Sequence, residues 1–326
     1  MMTPNRSNTS DFARSNFSET ADWPAVGIVI PVWNAINYTL TCLESLRQLS
    51  YPHFEIVVID NGSTDGSFEI IRSRYPSVIL IRNETNRGFA HACNQGLERV
   101  FGKGAEFALL LNNDTLVAPD MLVNLIDTAR SYPGAGIFGP RICYADRPDV
   151  PWFTGIRFNR PIYIVRTASP RHQVQSDVPV PVDFISGCGM LIRRSLYEAI
   201  GGLSEDYFMY YEDLDFCLRA RQARWQAMYV PHALMWHALS VSSGGKDSPL
   251  KQYHQVKSSL IFYRRHTRGL WYVLNLAIRV SHAGWTALGH LLRRQLRRDV
   301  IREYLRGIRE SMQKTPKTSI TERRDL

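Results

Sequence analysis

The chain has 326 residues, 44% hydrophobic and 21% charged, with a formal net charge of +9; that apolar fraction excludes an intrinsically disordered chain, and the length suits one large domain with an appendage. Residues from Lys257 onward hold 16 Lys and Arg against 5 Asp and Glu, a net of +11, whereas residues 1–256 hold 23 against 25, a net of −2. A near-neutral globular region followed by a basic tail argues against a nucleic-acid binder and directs the tail toward phosphate or anionic lipid.

Residues 1–24 are rich in Ser, Thr and Asn and carry both charge signs without an apolar run, so they read as a flexible lead-in and not as a signal peptide. Cys42, Cys93, Cys143, Cys188 and Cys217 stand singly with no C-x-x-C pair, which suits a reducing, cytoplasmic compartment. The first strand signal is Val26 to Ile30, stopped by Pro31, and a helix follows from about Tyr38 to Leu49. A second strand, Glu55 to Ile59, ends in a loop at Asp60-Asn61-Gly62-Ser63, and Asp65 is placed to cap a helix over Ser67 to Tyr75. Strands over Val78 to Ile81 and Phe107 to Leu111 flank a helix from Ala90 to Val100. Such β-α alternation predicts a parallel open sheet covered by helices on both faces, whose ligands bind beyond the carboxyl ends of the strands. After Pro140 the rhythm gives way to Pro- and aromatic-rich segments, with a helix from Arg194 to Ile200.

There is no G-x-G-x-x-G turn after the first strand and no G-x-x-x-x-G-K-[ST] loop, so phosphate must be held by a metal or a basic side chain. Asn112-Asn113-Asp114-Thr115 follows an apolar strand, and Asp114 there suits either a turn or one ligand of Mg²⁺ or Mn²⁺, whose remaining shell is water and diphosphate oxygen. In Tyr210-Tyr211-Glu212-Asp213-Leu214-Asp215 the three carboxylates open a helix; they either cap it, or Asp213 serves as a general base. His237 is either packed beside Trp236 or a further metal ligand.

Taken in chain order, Ile28-Val-Ile-Pro31-Val-Trp-Asn34, Val58-Ile-Asp60-Asn61-Gly-Ser63-Thr-Asp65, Asn86-Arg87-Gly88-Phe89, Leu110-Leu-Asn112-Asn113-Asp114, Gly187-Cys-Gly-Met190 and Phe208-Met-Tyr-Tyr-Glu212-Asp213-Leu-Asp215 resemble glycosyltransferase family 2, most closely its rhamnosyltransferase-like branch. The resemblance implies a GT-A fold, an open mixed α/β sheet, over residues 25–256, and inverting transfer of a sugar, rhamnose among the candidates, from a nucleoside diphosphate donor. It implies a saccharide or polyprenyl-diphosphate-linked acceptor in cell-envelope polysaccharide synthesis. By position, Pro31, Trp33, Asn34, Asp60, Asn61 and Ser63 would hold the nucleoside, Arg87 and Gly88 would lie over the nucleotide, and Asn112 to Asp114 would take the place of the D-x-D motif. Asp213 falls on the catalytic-base position with Glu212 beside it, and His237 joins Asp114 at the metal. Asn112 replaces the first acid of D-x-D, which keeps a non-catalytic sugar-nucleotide-binding scaffold as the alternative. The absence of a Q-x-x-R-W motif argues against a processive synthase.

In the tail, residues 257–326, the positions Leu270, Val273, Leu274, Ala277, Ile278, Trp285, Leu288 and Leu292 follow helical spacing, continued by Ile301, Tyr304, Leu305, Ile308 and Met312. Arg279, Arg293, Arg294, Arg297, Arg298, Arg302, Arg306 and Arg309 accompany them. A basic amphipathic helix at the inner face of the plasma membrane is the preferred expectation. The alternative is packing on the catalytic region or on a second subunit, which leaves a homo-oligomer open.

Overall fold

The computed structural model describes residues 23–158, 173–238, 249–278, 281 and 298–313. The four apolar runs of the first half form β1 (Val26–Val32), β2 (Phe54–Asn61), β3 (Ile79–Asn83) and β4 (Phe107–Leu111), paired in parallel in the order β3-β2-β1-β4. They are linked by α1 (Ile36–Leu46), α2 (Ser67–Arg74) and α3 (Phe89–Gly102). β1, β2 and β4 are buried along almost their whole length, so their sequences run apolar without alternation. Pro31 does not stop β1 as expected. The register with β4 ends at Val29 while β1 continues along β2 to Val32, so the missing N–H falls where β1 has a neighbour on one side only. Close contact between α3 and β1 depends on two glycines: a Cβ at Gly27 would stand 2.3 Å from Val100 Cγ1, and one at Gly96 would stand 2.1 Å from Val29 Cγ1.

Beyond β4 come β5 (Thr115–Val117), α4 (Met121–Ser131), β6 (Ala135–Tyr144), β7 (Pro151–Phe153), β8 (Val180–Val182) and β9 (Gly189–Arg193). α5 (Arg194–Ile200), α6 (Glu212–Gln222) and β10 (Gln226–His237) follow. The sheet extends as β4-β9-β6-β10-β5, with β7 on β6 and β8 on β10. Because β9 is antiparallel to both β4 and β6, the parallel order read from the first half gives way here to the mixed sheet that the resemblance implies. β10 is parallel to β6. β6 and β10 therefore run in the same sense as β4, and the start of β9 and the end of β10 open on the same edge as the ends of β1 to β4.

α7 (Pro249–His266) buries Tyr253, His254, Val256 and Ser258 to Tyr263, so the boundary expected at Lys257 lies inside one helix. Residues 269–278 are helical. A last helix, α8 (Arg298–Gln313), lies across α7, where Lys257 Nζ donates to Glu310 Oε2 (2.9 Å) and Tyr253 also donates to Glu310. Among the described residues no helix is long and apolar enough to cross a membrane. Most of the lead-in and Arg279, Arg293, Arg294 and Arg297 lie outside the described residues, as do Trp285, Leu288 and Leu292.

Candidate active site

At the shared edge, the chain leaves β1 through Pro31, Trp33 and Asn34, all half-buried. Asn34 and Ala35 have left-handed backbones, φ 59° and 61°, a conformation that costs a non-glycine residue roughly 1–3 kcal/mol and persists only when its surroundings enforce it. Here the β2 loop does so. Asn34 N–H donates to Ser63 Oγ (2.8 Å), Thr64 N–H donates to Asn34 Oδ1 (2.9 Å), and Ser63 N–H donates to Asp60 Oδ1 (3.1 Å). Asp65 accepts from Ser67 N–H (3.1 Å) at the head of α2, as expected, and also from Ile36 N–H (3.0 Å) at the head of α1. Asp60 is fully buried, and its Oδ2 has no hydrogen-bond partner among the described residues, with Arg82 Nε 3.7 Å away.

Asn61 faces the next loop. Its Nδ2 donates to Asn86 Oδ1 (2.9 Å) and Gly88 O (3.1 Å), and its Oδ1 accepts from Asn83 Nδ2 (3.0 Å) and Arg87 N–H (3.1 Å). This amide is saturated by the 83–88 loop, which it holds in place. Arg87 is exposed and Gly88 buried. Gly88 has φ 93°, and a Cβ there would lie 2.6 Å from Phe208 O, the acceptor of Phe89 N–H (2.7 Å).

After β4, Asn113 Nδ2 donates to Thr39 Oγ1 (2.8 Å) and so ties this loop to α1, while the Asn112 side chain is half-exposed. β10 pairs antiparallel with β5 and sets His237 opposite Thr115, which brings the ring to Asp114: Nε2 lies 2.9 Å from Oδ1, with both side chains almost wholly buried. His237 Nδ1 has no hydrogen-bond partner among the described residues, and the ring meets Trp152 edge-on at 4.9 Å. Among the described residues no cluster of three or more His, Cys, Asp and Glu forms. One carboxylate and one imidazole could supply two ligands to a divalent cation, the rest of whose shell would come from water and diphosphate.

Glu212 and Asp213 open α6. Tyr210 and Tyr211, immediately before, are both left-handed (φ 69° and 72°), a second pair of such residues at this edge. Asp213 is half-buried; its Oδ2 accepts from Gly187 N–H (2.9 Å) and its Oδ1 from Leu214 N–H (2.8 Å). Cys188 O in turn accepts from Asn112 N–H (3.0 Å), so the Gly187–Cys188 segment links Asp213 to the loop bearing Asp114. Glu212 is buried, and its Oε2 has no partner among the described residues. Burial raises both carboxyls. The neighbouring Asp213 and Asp215 push Glu212 further, whereas two backbone N–H groups pull Asp213 back. Both carboxyls therefore lie above the ordinary range, Glu212 the more strongly raised of the two.

Asp215 is the residue whose importance sequence reasoning missed. It accepts from Arg219 Nε (2.8 Å), Arg265 Nη1 (3.2 Å) and Tyr207 Oη (3.2 Å), and lies 2.8 Å from His266 Nε2. Burial alone would raise its carboxyl, but the His266 hydrogen bond and the Arg219 charge hold it well below the usual carboxylate range. These contacts fasten α6 to the end of α7. The aspartate's place in a helical first turn gave no sign of partners 50 residues away.

The fold resembles that of a mannosyltransferase from Pyrobaculum calidifontis in complex with GDP-Man and Mn²⁺ (TM-score 0.55, 16% identity, 89% of this chain and 87% of that one). It also resembles GalNAc-T7 with UDP, GalNAc and Mn²⁺ (TM-score 0.55, 14% identity, 75% and 49%). The sheet is thus the GT-A fold expected from the motifs. In sequence, the chain is 30% identical over 263 residues to N-acetylglucosaminyl-diphospho-decaprenol L-rhamnosyltransferase of Mycobacterium tuberculosis, covering 70% of this chain and 80% of that protein. The family model for glycosyl transferase family 2 matches residues 27–201. The chain belongs to glycosyl transferase family 2, as a rhamnosyltransferase-like glycosyltransferase.

Proposed function

We propose that the protein is a metal-dependent, inverting glycosyltransferase that moves a sugar, L-rhamnose foremost, from a nucleoside diphosphate to a polyprenyl-diphosphate-linked N-acetylglucosamine. Its place is the cytoplasmic face of the plasma membrane, in envelope polysaccharide assembly. The observation that carries this reading is the Gly187–Cys188 link, which ties the half-buried Asp213 to the loop of Asp114. The rhamnosyltransferase relative supports the choice of sugar and acceptor.

In this mechanism Asp213 takes the proton of the acceptor hydroxyl as that oxygen attacks the anomeric carbon from the face opposite the diphosphate. A single displacement of this kind requires no enzyme nucleophile. Glu212, buried and the more strongly raised of the pair, leaves Asp213 as the carboxylate placed to take that proton. Asn34, Asp60 and Ser63 with Pro31 and Trp33 line the nucleoside side, and the exposed Arg87 supplies a positive charge to the phosphates; Asn61 and Gly88 set the course of the loop that carries it. Asp114 and His237 would hold Mg²⁺ or Mn²⁺, which neutralises charge on the departing diphosphate when bound.

Thermal stabilisation by nucleoside diphosphates with and without Mn²⁺, followed by transfer assays with the matching sugar donors, tests this reading. The cation-dependent part of the stabilisation is expected to vanish in Asp114→Ala and in His237→Ala, and its survival in both would overturn the metal assignment. Asn112 favours one other reading, a sugar-nucleotide-binding scaffold. Cation-indifferent binding with no turnover over a broad acceptor panel would be its result.

A further inference from the structure

The helix of residues 269–278 is turned the wrong way for a protein that meets only water. Leu270 is 69% exposed, Val273 56% and Trp271 41%, with Leu274 and Ile278 also exposed. At about 100° per residue these side chains share one arc of roughly 160°. On the opposite side Tyr272 packs against the core, and at the flank Asn275 is buried, its Nδ2 donating to Trp271 O (2.7 Å). The apolar stripe thus points outward while the other face holds the helix to the protein.

We infer that this face docks on the surface of an anionic phospholipid bilayer. Charge favours that occupant over a second copy of the chain. Arg268 immediately precedes the helix and is exposed, Arg279 immediately follows it in sequence, and the chain from Lys257 onward carries a net of +11. Two copies meeting on this face would bring those cations together, whereas anionic headgroups neutralise them, each contact adding to attachment. Leu, Ile, Val and a Trp on one side of a helix that an exposed arginine precedes suit the interface between acyl chains and headgroups. The helix also starts three residues after His266, which with Arg265 grips Asp215 on α6. Docking here would fix the Asp213 end of α6 relative to the membrane, where a lipid-linked acceptor resides, and in that respect the inference rests on the function proposed above.

The test is flotation of the full chain with vesicles of phosphatidylcholine containing phosphatidylglycerol, against pure phosphatidylcholine vesicles. The wild type is expected to float with the anionic vesicles, to be released as salt rises, and to lose binding more than about tenfold in Leu270→Glu/Val273→Glu/Leu274→Glu. Unchanged nucleoside-diphosphate-dependent thermal stabilisation verifies that this variant folds. If it does not, Leu270→Gln, at the most exposed of these positions, is expected to weaken flotation to a smaller degree. Equal flotation of wild type and variants, or no flotation of the wild type, would overturn the inference. So would a dimer that the triple variant dissociates, because the face would then belong to a second copy. Transfer to a water-soluble acceptor analogue separates the two claims: turnover without flotation removes the docking surface alone, and flotation without turnover removes the enzymatic reading alone.

Discussion

Glu212 and Asp213 are adjacent in sequence, yet the fold treats them oppositely. Glu212 has a buried oxygen with no partner among the described residues and two acidic neighbours, while Asp213 accepts two backbone N–H bonds and reaches solvent. Burial and acidic neighbours raise Glu212 well above the ordinary range, so an uncharged isostere suits its site, and Glu212→Gln is expected to keep transfer within about an order of magnitude of wild type. With burial raising Asp213, the acid limb of kcat/KM against pH should lie above the usual aspartate range of about 3.9, rates falling as pH drops through it. Glu212→Gln should leave that limb in place. A pH–rate series on both proteins checks this, and loss of the limb in Glu212→Gln would make Glu212 the base. The residue types at this site were legible in the sequence because the motifs are local; their division of labour was not, because it depends on Gly187, more than 20 residues away in the chain.

At the scale of elements, α6 presents its acids because α7 grips it from behind and because Tyr210 and Tyr211 accept left-handed backbones to turn the chain into it. Replacing the fully buried Asp215 by Asn leaves the half-buried Arg219 without its carboxylate and Arg265 with Asp206 alone, and is expected to cost about 3 kcal/mol in urea unfolding. The pH dependence of stability separates two groups. His254 is buried, stacked on Phe208 at 4.5 Å, and pushed by burial and by Lys257 from 6.5 to about 4. The unfolded chain therefore binds this proton first, and stability should fall as pH drops from about 6.5 to 4; His254→Phe should flatten that window. Asp215, depressed in the fold, contributes fully above about pH 4 and loses its contribution only below that range, so it does not act in the same window. β4 and α5 lie where their apolar runs and spacing place them. α4 and β6 went unread in the stretch before the Pro-rich region, and the antiparallel direction of β9 depends on pairing with β4 and β6, which a run of residues does not encode.

For the whole molecule, the near-neutral region builds the sheet and its site, and α7, which runs into the basic part of the chain, braces that site through Arg265 and His266. Asp114 and His237 are 123 residues apart in the chain and touch only because β5, β10 and β6 close the far side of the sheet. The family resemblance foresaw that meeting; spacing alone did not. The central claim is that Asp213 is the base of a sugar transfer, and it is tested most directly by measuring single-turnover transfer by Asp213→Asn against wild type with donor, Mn²⁺ and the lipid-linked acceptor. The account predicts a loss of about 10²- to 10⁴-fold in rate with nucleotide binding intact. Transfer by Asp213→Asn at the wild-type rate would contradict it.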